Sequence, residues 1–212
     1  CPAGTDPAAA RVDALVGRAA DAPQLGDPVA ARLLDAAEAV GHPSWRTAVR
    51  IGWVRAELAL YGGRAAQGVE PAERALERAR AAGAQRHVVK SRLVLAVVRA
   101  VVRPNGASIA ELDAVADAAN ERGLLPLAGP AHLAAADLLD RIVQHSVSKL
   151  SPSANDGPAD RSNESVDGLP SGAARRRHAA AVTTSVLYQL TDPVGRGLTG
   201  EPVSVRARPS VM

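Results

Sequence analysis

Trp53-Val54-Arg55-Ala56-Glu57-Leu58, then Tyr61-Gly62-Gly63-Arg64, then Ala72-Glu73-Arg74-Ala75-Leu76 and a stop at Gly83: this stretch decides the fold of the 212-residue chain. It reads as an apolar helix, a glycine break, a second helix of A-x-x-L/V-x-x-A type, and a second glycine stop. Working outward, a shift of 40 residues aligns Trp53 with Leu93 and Leu133, Ala56 with Ala96 and Ala136, and Leu58 with Val98 and Leu138. The second helices align as well. Arg32-Leu33-Leu34-Asp35-Ala36-Ala37, ending at Gly41, matches Arg74 to Ala79 at a shift of 42, and Asp113 to Gly123 follows Glu73 to Gly83 at a shift of 40.

Helix punctuation supports the repeat. Asp6-Pro7 and Asp27-Pro28 each place an acceptor before a proline at the first helical position. Ser44 stands as a cap before Trp45, and Ser108 with Glu111 has the spacing of a capping box. Glycine takes the left-handed conformation past a helix end without a Cβ clash, which makes Gly41, Gly62-Gly63, Gly83 and Gly123 stop signals. The pattern predicts helices near 7–20, 28–40, 45–61, 65–82, 85–102, 109–122 and 128–145, with no convincing strand before position 180. Trp53, Leu93 and Leu133 are expected in the core.

A period near 40 with two helices per unit means an α-solenoid, because one helical hairpin cannot bury both faces until a neighbour stacks on it. The expected fold is all-α: a right-handed stack of about three hairpins. The Trp53 to Leu76 stretch resembles the tetratricopeptide-repeat superfamily. Its 40-residue period resembles the long-repeat variety that forms the sensor region of large ATP-dependent bacterial transcription activators. The resemblance spans residues 28–145. It implies a scaffold that binds a peptide or partner protein in a groove lined by the first helix of each unit.

The organisation expected is a helical repeat domain over 1–145, a disordered linker over 146–172, and a short helix with a poorly ordered tail over 173–212. Ser146 to Gly172 is rich in Ser, Pro, Asp, Asn and Gly, and buries too little apolar surface to offset its ordering entropy. Composition excludes several classes. Hydrophobic residues make up 47% of the chain and aromatics 2%, with Ala prominent, which favours close-packed helices over sheets. Residues 1–145 carry 17 Lys+Arg against 16 Asp+Glu, and residues 146–212 carry 8 against 6, so the net +3 marks no basic face. General nucleic-acid binding is not expected, since that needs concentrated cations. No run reaches the roughly 18 apolar residues of a membrane span.

Chemical motifs are sparse. One Cys allows neither an intrachain disulfide nor a Cys-based zinc cluster. Gly195-Arg196-Gly197-Leu198-Thr199-Gly200 fits G-x-G-x-x-G letter for letter. Asp192-Pro193 before it and Glu201-Pro202 after it leave no βαβ unit, so the dinucleotide reading is rejected. There is no Gly-Lys pair for a P-loop, no H-E-x-x-H and no G-x-S-x-G. The sequence points to no catalytic residue, cofactor or metal site, and the chain is expected not to be an enzyme.

By the resemblance, the groove would draw on Arg46, Arg50, Arg55 and Glu57 from one unit, Arg86, Lys90 and Arg92 from the next, and His132 and Asp137 from the third. Arg50 and Lys90 share a repeat position and, with His132, are the expected partner-binding residues. Arg175-Arg176-Arg177 is expected to be a solvated helix start. The leading expectation is a peptide- or protein-binding module, with homo-oligomerisation through an uncapped end left open. The alternatives are an effector-sensing regulatory domain and an enzyme built in the helical groove. High Ala and Arg with scarce Lys suggest a bacterial source. Cytoplasmic location is expected, against the alternative of a lipid anchor through Cys1-Pro2-Ala3-Gly4.

Overall fold

The computed structural model describes residues 7–21, 28–41, 44–150 and 172–190. Among them every regular element is helical: α1 (Pro7–Asp21), α2 (Val29–Ala39), α3 (Trp45–Tyr61), a 3-10 turn at Ala65–Gly68 leading into α4 (Val69–Ala81), α5 (Gln85–Val102), α6 (Gly106–Glu121), α7 (Leu125–Leu150) and α8 (Gly172–Leu190). No described helix is long and apolar enough to cross a membrane. Asp6 and Asp27 lie outside the described residues, as do most of the expected linker and the tail beyond Leu190.

The corners between helices are built alike. At the ends of α3, α4 and α6 the amides of Arg64, Ala84 and Leu124 donate five residues back to Ala59, Ala79 and Ala119, at 2.8, 3.1 and 2.8 Å. Gly63, Gly83 and Gly123 donate three residues back and take φ of +68°, +63° and +65°. This is the paired hydrogen-bond arrangement that satisfies a helix's last carbonyls, and it requires the left-handed residue that glycine supplies. The periodic glycines of the sequence are therefore three copies of one corner.

Side chains then settle how the helices stack. Helix α3 is apolar on two sides. Ile51 and Val54 join Val12, Val16 and Leu34 of α1 and α2, while Val49, Trp53 and Ala56 join Ala75 of α4 and Val94 and Val98 of α5. Helix α5 repeats the pattern, with Leu93 and Ala96 facing Leu112 of α6 and Leu138 of α7. Small residues let the helices come close: a Cβ built on Gly52 would stand 2.7 Å from the Pro71 carbonyl oxygen and 2.9 Å from the Ala75 Cβ. Successive odd-numbered helices touch one another, and each even-numbered helix packs with its neighbours in the chain.

Four expectations need correction. Helix α6 begins at Gly106, because Pro104 disfavours helical backbone at Arg103 and Asn105, at φ −152°, becomes the cap; its Oδ1 accepts from the Ser108 amide at 3.0 Å. Ser108 Oγ instead donates to the Arg103 carbonyl, and Glu111 pairs with Arg99. Helix α7 begins at Leu125, with Pro126 in its first turn, where no helix bond is lost, and Pro130 inside it, where one backbone bond is forfeited. It also runs to Leu150, into the stretch expected as linker. Leu133 is 46% exposed, whereas Trp53 and Leu93 are 7% and 9% exposed. Trp53 is covered by α5 and Leu93 packs with α7, but no described odd-numbered helix follows α7 to cover Leu133.

Candidate functional site

The first turns of α3 and α5 lie side by side. Ser44 fixes the start of α3 by accepting from the Thr47 amide at 3.3 Å. From this turn Trp45 meets His87 of α5 edge-on, with ring centroids 5.0 Å apart, and one face of Trp53 stacks on the same imidazole at 5.7 Å. Cations cover the indoles: the Arg46 guanidinium stands 4.7 Å from the Trp45 ring centroid, and Lys90 Nζ stands 4.3 Å from that of Trp53. Such contacts hold a cation against an aromatic face without neutralising it. Trp53 is anchored from below, where its Nε1 donates to the buried Ser91 hydroxyl at 2.9 Å.

The electrostatics follow from this crowding. Partial burial lowers the His87 pKa, and the positive charges of Arg46, Arg86 and Lys90 lower it further, so the ring favours the neutral form. Glu57 is pushed the opposite way from its ordinary value. Burial raises its pKa, and Lys90 partly offsets the rise. Arg46, Arg86 and Lys90 form no ion pair with a described carboxylate, whereas Arg50, Arg55, Arg74, Arg99, Arg122, Arg176 and Arg177 all do. The seam between α3 and α5 thus gathers three cations without a close ion-pair partner among the described residues beside aromatic rings, with the half-buried Glu57 within Coulombic range of Lys90.

The three residues expected to bind a partner are not brought together. Arg50 reaches back to α1, where its Nη1 donates to Asp13 Oδ1 at 3.1 Å, beside the Thr47 hydroxyl on the same oxygen. Lys90, at the equivalent repeat position, reaches back to α3 and lies on Trp53. His132 is on α7 and lines a separate cleft with Asp113 and Asp117 of α6 and Arg175 and Arg176 of α8. Of the other groove candidates, Arg55 binds Asp35 and Glu38 of α2, and Asp137 binds Arg177.

Sequence reasoning missed Trp45 and His87. The signal available was the pairing of the chain's only two tryptophans eight residues apart on one helix, a spacing that shares a face. It also treated Arg175 to Arg177 as solvated, yet Arg176 forks onto Asp113 at 2.9 and 2.5 Å and Arg177 bridges Asp137 and Asp140 at 3.1 and 2.6 Å. Among the described residues no group of three or more His, Cys, Asp or Glu is placed to hold a metal ion. No protein-family model matches the chain, and a search of curated proteins also finds no match.

Proposed function

We propose that the chain is a non-catalytic interaction module of tetratricopeptide-like, solenoid type that holds an acidic peptide segment across the seam between α3 and α5. The supporting observation is the convergence of Arg46, Arg86 and Lys90, none of them ion-paired with a described carboxylate, on Trp45, Trp53 and His87. Carboxylates of the peptide pair with the cations, and an apolar side chain lies against the exposed part of Trp45. Arg50 serves the fold by tying α3 to α1, and Lys90 is the one residue of the expected trio that remains in the peptide site.

Trp45 and Trp53 are the only tryptophans, so intrinsic fluorescence reports on the site directly. An acidic peptide is expected to change the emission saturably, and a peptide with Lys in place of its acids is expected not to. Arg46→Glu/Lys90→Glu should weaken the acidic peptide by at least about tenfold, roughly 1.4 kcal/mol. Equal response to both peptides, or an unchanged affinity in the double variant, would overturn the reading.

A further inference from the structure

A second region carries polar groups that the fold leaves unused. The cleft of about 370 Å³ between α6, α7 and α8 is walled by Asp113, Asp117, His132, Arg175 and Arg176. Arg176 and Asp113 satisfy each other through two hydrogen bonds, and Arg176 Nη1 also donates to the Gly172 carbonyl at 3.0 Å, so this pair is wall and not receptor. Asp117 and Arg175 have no ion-pair partner among the described residues. His132 Nδ1 is buried with no hydrogen-bond partner, the one side-chain nitrogen or oxygen in that condition among the described residues. A buried polar atom without a partner costs free energy that a bound group can recover.

The charges restrict what fits. Asp113 and Arg176 offset each other, so the charges left over are one carboxylate, Asp117, and one guanidinium, Arg175. A simple anion or a simple cation answers only one of the two, whereas a molecule carrying both signs a few bonds apart answers both. The volume is at the small end of ligand clefts, which run from about 300 to 1,000 Å³. We propose that this cleft binds a small zwitterion of the free α-amino-acid class. Its carboxylate pairs with Arg175 and its ammonium with Asp117, while the His132 ring turns to bring Nδ1 out of its buried position to accept, in the tautomer protonated on Nε2. Because Arg175 is on α8 and Asp117 on α6, the bound molecule also fastens α8 to the rest of the chain. This site shares no residue with the α3–α5 seam and does not depend on the peptide reading.

The experiment uses the full chain and a panel of free α-amino acids as probes. Each amino acid is paired with its two half-molecules, the carboxylic acid lacking the amine and the amine lacking the carboxylate. The imidazole resonances of His132 are followed by NMR, with His132→Gln used to assign them, and amide exchange in α8 is measured in parallel. At least one amino acid is expected to move the His132 resonances saturably and to slow exchange over residues 172–183, while its half-molecules do neither. Asp117→Asn and Arg175→Gln are expected to lose that response by at least about tenfold while keeping the parent's circular dichroism and unliganded melting temperature. The proposal is overturned if no amino acid moves His132, if the half-molecules act as strongly as the whole, or if the two folded variants respond like the parent.

Discussion

The α3–α5 seam and the α7–α8 end are held by different physics, although each joins helices packed side by side. The seam is closed by buried apolar surface, a stacked imidazole and one buried hydrogen bond, none of which is weakened by charge screening. At the other end α8 buries only Ala173, Ala180 and Thr183 among its described side chains, and Arg176 and Arg177 supply its charged anchors. Helices packed alike along the chain are thus held with different firmness by the side chains at each junction.

The sharpest way to break this comparison is a pair of identical substitutions at equivalent repeat positions. Leu93→Ala should cost about 2–4 kcal/mol in chemical denaturation, because it opens a cavity among α5, α6 and α7. Leu133→Ala, at a 46% exposed site, should cost no more than about 0.5 kcal/mol. Equal losses would mean that Leu133 is covered in solution.

Gly52→Ala comes next, at about 1–3 kcal/mol, because the added methyl meets the Pro71 carbonyl and α3 must back away from α4. Ser91→Ala should cost about 1–2 kcal/mol by leaving the buried Trp53 Nε1 without its acceptor, and should alter tryptophan emission. Arg176→Lys sharpens the comparison from the other end. It keeps the charge but loses the two-pronged contact with Asp113, so amide exchange in α8 should quicken, and more so at high salt, with little change at α5.

The smallest effect expected is one of pH. The His87 pKa is depressed in the folded chain, so the folded state binds fewer protons than the unfolded one just below the ordinary value near 6.5. The stability contributed is complete above that value and is lost as pH falls toward the folded pKa. His87→Gln should flatten the dependence of melting temperature on pH in that window. Glu57 has the opposite sign: its raised pKa makes its contribution full in acid and lost as pH rises through the folded value. Glu57→Gln should therefore raise the melting temperature at neutral pH relative to acid.

Much of the architecture was legible because it rests on local chemistry. Gly63, Gly83 and Gly123 announce the corners by a conformation few other residues adopt, and the Ala-Leu spacing of the second helices announces the buried face. What failed was set by distant partners. Ser108 looked like a cap, but Pro104 moved the helix start to the far side of Asn105. Leu133 matched Trp53 and Leu93 by register, yet register cannot say where a stack ends. The site was less legible. Arg50 and Lys90 share a repeat position, but Asp13 happens to face one and Trp53 the other. His132 and Arg176 come together only because α8 returns to the stack, and no local pattern near either residue signals that return.

The two-sided apolar character of α3 and α5 has a mechanical consequence. Each core joins only helices close along the chain, so a pull applied between its ends is carried through a series of separate junctions, like links in a chain. Among the described side chains α8 leans most on charge, through Arg176 and Arg177, so salt loosens that junction more than the others. Under tension the molecule is expected to lengthen in steps, one junction at a time.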